Sequence, residues 1–156
     1  MKPTNASPDR HSDSMKQLMT EYHKSHLNRT NQLIHYVCVP LIFWSISAAL
    51  WTLKLPLVIN AAIVMTSLLM LYYLLKSIKV FATMLLFTLA CLAINYGLES
   101  MGLPLLWIAV VVFVLAWIGQ FIGHHIEGKK PSFFQDLQFL LIGPAWVVFK
   151  FFNIRL

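Results

Sequence analysis

The stretch that decides the fold is EYHKSHLNRTNQLIHYVCVPLIF, residues 21–43. It places three histidines and two asparagines between His23 and His35 and then continues as an apolar segment. Residues 30–53 carry no Asp, Glu, Lys or Arg, and a helix needs about 20 such residues to cross a hydrocarbon core. The sequence therefore predicts a histidine-rich segment at the entrance of a membrane-spanning helix.

The segments that lack charged residues predict the rest of the architecture. Charged residues make up only 12% of the chain, about half the share of an average soluble domain. Uncharged runs recur at residues 55–75, 80–98 and 100–126, and a shorter one follows at 137–149. Only helices and closed barrels span lipid, and the two-residue alternation of barrel strands is absent. We predict an all-α integral membrane bundle of four transmembrane helices, with an N-terminal cytosolic helix and a C-terminal interfacial or re-entrant helix.

Composition and charge also predict the domain organisation and the orientation. Residues 1–14 have the composition of a disordered arm, and residues 15–156 are expected to form one membrane-embedded domain. With the N-terminus inside, Lys54 is the one basic residue of the outer loops, whereas the inner side collects Lys16, Lys24, Arg29, Lys76, Lys79, Lys129 and Lys130. The positive-inside rule then places both termini in the cytosol, in a bacterial inner membrane or the endoplasmic reticulum. Anionic lipid headgroups suit this basic face, so the net charge of +6 calls for no nucleic-acid partner.

Helical spacing relates the histidines of the first motif to one another. Asn31 and His35 are four residues apart and share a helix face. Nine residues separate His26 from His35, which puts them on opposite sides of a straight helix. Both can face one site only if the chain bends between them, and Asn and Thr favour caps and turns. We therefore expect a break near residues 26–28 and a membrane helix that starts near Thr30.

A second polar motif, WIGQFIGHHIEGKKPSF, occupies residues 117–133. Gln120, His124 and Glu127 fall on one stripe of a helix, and Gly119 with Gly123 forms a small-xxx-small pair that lets another helix approach closely. With an even number of spans, this motif and the first one lie at the same membrane surface.

Three or four neutral imidazoles at such a boundary suit a first-row transition metal: iron, zinc or copper. A nearby amide or carboxylate would fix the imidazole tautomers. From the residues alone, the histidines could equally anchor helix ends at the interface, and either His124 or His125 could take part. The residues alone do not identify which of these metals would bind.

Taken together, the two motifs resemble a family of small multipass membrane proteins whose fungal members are iron(II)-dependent 2-hydroxy fatty acid dioxygenases. The matching positions are His26, Asn31, His35, Pro40, Gln120, Gly123, His124, Glu127, Gly128 and Pro131. The resemblance implies Fe²⁺ bound by His23, His26, His35 and His124. It adds Glu127, Asn31 and Gln120 as catalytic residues, and it leaves open whether Glu127 ligates the metal.

The resemblance also implies a reaction, fatty acid alpha-oxidation. A long-chain 2-hydroxy fatty acid would react with O2 within the lipid membrane and yield CO2 and the acid one carbon shorter. Two alternatives compete with this interpretation. One is another membrane lipid hydroxylase or desaturase with a histidine-bound metal, and the other is a non-enzymatic small membrane protein with structural histidines.

Overall fold

Helices form nearly all of the structure. The computed structural model describes residues 17, 19, 20, 23, 26–56, 60–128 and 133–151, with the backbone alone for 133–141. The expected disordered arm, residues 1–14, lies outside these described residues. The five helices are α1 (Arg29–Trp51), α2 (Ala61–Lys76), α3 (Ile78–Ser100), α4 (Leu105–Glu127) and α5 (Phe133–Phe151). Gln17, Met19, Thr20 and His23 are also helical. The prediction of an all-helical fold is confirmed for the described part of the chain.

Within the part of the chain that the structure describes, three helices have the length and composition to cross a membrane: α1, α3 and α4, each of 23 residues. The run predicted as the second span contributes α2, which has 16 residues and is about 24 Å long, shorter than a hydrocarbon core of about 30 Å. It begins late because Asn60 caps it, accepting a hydrogen bond from Ile63 N at 3.0 Å. The run at 137–149 lies inside α5.

The start of α1 is set by a capping residue, as the sequence predicts. The Asn28 side chain accepts hydrogen bonds from the backbone N–H groups of Thr30 at 2.9 Å and Asn31 at 3.4 Å. Asn28 itself is extended, with φ −70° and ψ 126°, and residues 26 and 27 are not helical. The expected break near residues 26–28 is therefore confirmed, and it frees His26 from the helical direction of α1.

The first helix is the centre of the bundle. One side of α1 packs on α4, and its other side packs on α2, α3 and α5. The largest buried cluster joins Val39 and Phe43 of α1 to Met84 of α3 and Trp146 of α5. Among the described residues, α4 makes no backbone approach to α2 or α5, so α4 depends mainly on α1 for its position.

Candidate metal centre

Three imidazoles meet where α1 begins and α4 ends. His26 Nε2 lies 3.0 Å from His35 Nε2, and the ring of His124 has its centroid 5.6 Å from that of His26 and 5.1 Å from that of His35. One ring nitrogen from each of the three lies within 4.8 Å of the others. His26 and His35 are buried and His124 is half-buried. Metal–nitrogen bonds are about 2.0–2.1 Å long, so a small rearrangement would let all three hold one metal ion.

The tautomer of His35 is fixed by its other ring nitrogen. His35 Nδ1 lies 2.9 Å from the backbone carbonyl oxygen of Asn31. A carbonyl oxygen only accepts hydrogen bonds, so Nδ1 carries the proton and donates it. Nε2 is then left with a lone pair that points toward His26, which is the arrangement found in metal-binding histidines.

Glu127 organises the backbone that carries His26. Its Oε1 accepts a hydrogen bond from Leu27 N at 2.9 Å, and its Oε2 accepts from Asn28 N and from Asn31 Nδ2, both at 3.0 Å. The last residue of α4 thus ties down the non-helical segment before α1. Both carboxylate oxygens accept from these donors, so Glu127 links the end of α4 to the segment that carries His26.

Two glycines allow α1 and α4 to come this close. An added Cβ at Gly123 would lie closer than 3.0 Å to Asn31 Oδ1 and 3.4 Å from His35 Cε1. An added Cβ at Gly119 would lie 2.5 Å from Cys38 Sγ. The close approach predicted for the small-xxx-small pair is confirmed, and it brings His124 against His35.

The structure brings together only part of the predicted site. His23 is exposed and does not belong to the group of three: its Nδ1 is 3.3 Å from Lys150 Nζ, and its ring centroid is 6.0 Å from that of Trp146. Desolvation and, to a smaller extent, the Lys150 ammonium lower the pKa of His23. His125 is exposed, so His124 is the member of the pair that joins the site.

The two amides of the predicted site differ in their bonding. Asn31 is fully buried and donates to Glu127, and the catalytic role that the resemblance implies for it stays a prediction. Gln120 is 6% exposed, and its Oε1 finds no hydrogen-bond partner among the described residues. The structure therefore does not bring Gln120 into contact with an imidazole as a donor or acceptor.

Three neighbours of the site were not found from the sequence. The Gln32 side chain donates to the carbonyl oxygen of His26 at 2.7 Å. The Trp146 ring lies 5.7 Å from the His26 ring, and Lys150 sits over the Trp146 ring at 4.8 Å. Gln32 could have been suspected as a polar residue in the first turn of α1. The contacts of Trp146 and Lys150 depend on how α5 folds back, which no local pattern reveals.

The fold and site define a helical protein with spanning-length helices and a three-histidine centre at one end of an antiparallel α1–α4 pair. The family described as "2-hydroxy-palmitic acid dioxygenase Mpo1-like" matches residues 12–154. A relative, 2-hydroxy-palmitic acid dioxygenase MPO1 of Saccharomyces cerevisiae, is 31% identical over 129 residues, which cover 81% of this chain and 72% of the relative. No solved structure matches the chain. The chain belongs to the Mpo1-like family, as the resemblance of its two motifs predicts.

Proposed function

We propose that the protein is an iron(II)-dependent dioxygenase acting on long-chain 2-hydroxy fatty acids. The observation that carries the proposal is the convergence of His26, His35 and His124 in a member of the Mpo1-like family. The reaction balances as one 2-hydroxy acid plus one O2 giving one acid shorter by a carbon, one CO2 and one water. The bond between C1 and C2 breaks, C1 leaves as CO2, and C2 becomes the new carboxyl carbon.

The donor set fits a first-row transition metal such as iron. Three neutral imidazoles leave coordination positions open for a substrate and O2, and the exposed His23 is the proposed fourth ligand. Bound iron would supply the activation of O2, and the protein would supply ligation, orientation and exclusion of water. Because Glu127 is held by three donors, we assign it to positioning the ligands.

The chain's own residues orient the histidines. The carbonyl oxygen of Asn31 holds the His35 ring with Nε2 facing the centre. The side chain of the same residue links α1 to Glu127, and Gln32 holds the carbonyl of His26. Loss of such supporting contacts typically lowers metal affinity by about 10- to 100-fold.

The placement of the site suits an amphiphilic substrate. The centre lies at the ends of two spanning-length helices, where the polar layer of a membrane meets the hydrocarbon. A 2-hydroxy acid carries a carboxylate and a neighbouring hydroxyl that can chelate one metal ion, and its alkyl tail belongs in lipid. The site can therefore hold the head in the polar layer while the tail extends among the helices.

The same proposal includes the full topology. Four spans, with α2 as the second, place both termini and the centre at the cytosolic surface. The C-terminal helix α5 would lie at that surface. This arrangement agrees with the packing of its residues Ile142–Phe149 against the inner ends of α1 and α3, where Val80 and Met84 are buried.

The test is the length of the product. Protein purified without oxygen and loaded with Fe²⁺ should convert 2-hydroxypalmitate and O2 into a fifteen-carbon acid, identified by mass spectrometry. Unsubstituted palmitate serves as the control substrate and should react poorly. A sixteen-carbon product with an added oxygen or a double bond would instead identify a lipid hydroxylase or desaturase.

A further inference from the structure

Gln120 has a buried polar atom that the folded chain leaves unsatisfied. Its side chain is 6% exposed, and its Oε1 has no hydrogen-bond partner among the described residues. It lies within α4, a helix long and apolar enough to span a membrane, where water is scarce. Burying an amide without a partner is unfavourable, so this atom would gain from a partner that the described residues do not supply.

The position of Gln120 relates it to the metal centre. It precedes His124 by four residues, and side chains with this spacing lie on the same helix face. Both side chains lean toward the helix N-terminus, so the Gln120 amide lies about one turn, roughly 5–6 Å, further into the membrane than the His124 imidazole. A ligand held at the imidazoles would meet this amide as it continues into the hydrocarbon.

A second unsatisfied group lies next to Gln120 on α4. The indole Nε1 of Trp117 is buried and has no partner among the described residues. Trp117 precedes Gln120 by three residues, and its ring packs against the buried cluster of Cys38, Ile42 and Ala116. A donor and an amide therefore occur together on this part of α4, beside α1.

Two other buried amides among the described residues are paired through their NH2 groups, although their Oδ1 atoms, like Gln120 Oε1, have no partner there. Asn31 donates to Glu127, and Asn95 donates to Ser47 Oγ at 3.0 Å. Gln120 makes no hydrogen bond to any described residue, although it is almost as buried as these two. Gln120 therefore differs from Asn31 and Asn95 in that no atom of its amide is paired within the described part of the chain, whereas the NH2 groups of the other two join one helix to another.

We propose that Gln120 binds the hydroxyl group on C2 of the fatty acid and thereby selects 2-hydroxy acids over unsubstituted acids. This inference rests on the proposed function. A hydroxyl group both donates and accepts, so its oxygen can ligate the metal while its proton is donated to Gln120 Oε1. The same property makes it a partner for either orientation of the amide.

The selectivity follows from how an unsubstituted acid would bind next to Gln120. Its alkyl chain would cover Gln120 and exclude water without offering a hydrogen bond. The site would then keep a desolvated, unpaired amide, which is the condition under which polar sites reject analogues that lack a hydroxyl. A 2-hydroxy acid removes this cost on binding.

The experiment compares Gln120→Met with a matched control, Asn95→Leu. Both replace a buried amide by an apolar side chain of similar size, and the control also removes a hydrogen bond to Ser47. Dissociation constants for 2-hydroxypalmitate and palmitate are measured by competition against a labelled fatty acid, and kcat/KM is measured for both. Iron content and thermal unfolding in detergent report whether each variant remains loaded and folded.

The expected result is a loss of preference confined to the Gln120 variant. The ratio of the two dissociation constants should fall by about 3- to 10-fold, the range for one neutral hydrogen bond, while iron content stays at the wild-type level. Asn95→Leu should keep the wild-type ratio. Gln120→Asn keeps the amide but withdraws it by one methylene, so it should lower the ratio too, and it serves as the test if Gln120→Met does not fold.

Two results would overturn the inference. One is a folded, iron-loaded Gln120 variant with the wild-type preference, and the other is an equal loss of preference in Asn95→Leu. Failure of the proposed function looks different, because the wild-type protein itself would then make no fifteen-carbon acid from 2-hydroxypalmitate.

Discussion

His35 connects the helix α1 to the centre through both of its ring nitrogens. Nδ1 donates to the Asn31 carbonyl one turn earlier, and Nε2 faces His26 at 3.0 Å. The spacing of Asn31 and His35 predicts that they share a face, so this residue could be found from the sequence. His26 and His124 could also be found, because helix topology brings both to the same membrane surface.

Replacing His35 by alanine should remove bound metal while the helical fold remains. The change deletes a ligand that has no substitute among the described residues near the centre, and His26→Ala and His124→Ala should act in the same way. Elemental analysis of purified protein checks this, with circular dichroism as the measure of folding. His125→Ala is the matched control, since His125 is exposed beside His124 and should keep full metal content. A His124→Ala protein with full iron content would refute the ligand assignment.

The role of Glu127 was not predictable from its spacing alone. Its partners Leu27 N and Asn28 N are backbone groups of a non-helical segment about a hundred residues earlier in the chain. Helical periodicity places Glu127 on the stripe of His124, but it does not show which donors will lie opposite. The sequence could therefore identify Glu127 as part of the site without choosing between metal ligation and positioning.

Glu127→Gln should weaken metal binding without abolishing it. One carboxylate oxygen becomes an NH2 group that cannot accept from the backbone N–H groups it faces, so the segment carrying His26 is held less firmly. Supporting residues of this kind change metal affinity by about 10- to 100-fold. Competition with a chelator measures the affinity. A complete loss of metal, equal to that of His35→Ala, would show instead that Glu127 is itself a ligand.

At the scale of the helices, the antiparallel packing of α1 on α4 builds the site. Cys38 lies at Gly119 and Asn31 at Gly123, and at the far end Ala48 packs against Leu105 and Ala109. The Gly-xxx-Gly spacing predicts such a close crossing but does not name the partner helix. The pairing of α4 with α1 depends on the packing of the whole bundle, so the sequence predicts a close crossing but not its partner helix.

Gly123→Ala should destabilise the protein and weaken metal binding together. The new methyl group would collide with Asn31 Oδ1, and Asn31 cannot withdraw freely because Glu127 holds its amide. Overpacking of this kind costs about 1–3 kcal/mol. Thermal unfolding in detergent measures the stability.

The control for Gly123→Ala is Gly97→Ala in α3, where nothing lies within 4 Å of the added methyl group. Alanine favours a helix over glycine by about 0.5–1 kcal/mol, so this variant should be slightly more stable than the wild type. Equal stability losses in the two variants would argue against a tight α1–α4 crossing.

At the scale of the whole molecule, the distribution of charged residues predicts where three of the helices lie, but it does not predict the length of α2. The helices α1, α3 and α4 match the uncharged runs that predict them. The run at 55–75 gives a helix of only 16 residues, because Asn60 caps α2. A hydropathy pattern does not reveal such a capping residue. The packing of α5 against α1 and α3 involves contacts distant in sequence and could not be predicted from a local pattern.

The predicted orientation can be tested with single cysteines. The native Cys38 and Cys91 are buried and should react slowly, so new cysteines at the exposed Lys54 and the half-buried Lys76 give a distinguishable signal. Lys54→Cys should be labelled by an impermeant thiol reagent from outside intact cells, and Lys76→Cys only after the membrane is opened. Labelling of position 76 from outside would contradict the proposed topology.

One metal ion held by three histidines is the basis of the proposed dioxygenase. It is tested by the amount of iron per chain after anaerobic purification and removal of loosely bound metal. We expect one iron per chain in the wild type. Two irons per chain would indicate a di-iron lipid hydroxylase or desaturase, and no tightly bound metal would indicate structural histidines; either result would refute a single-iron dioxygenase.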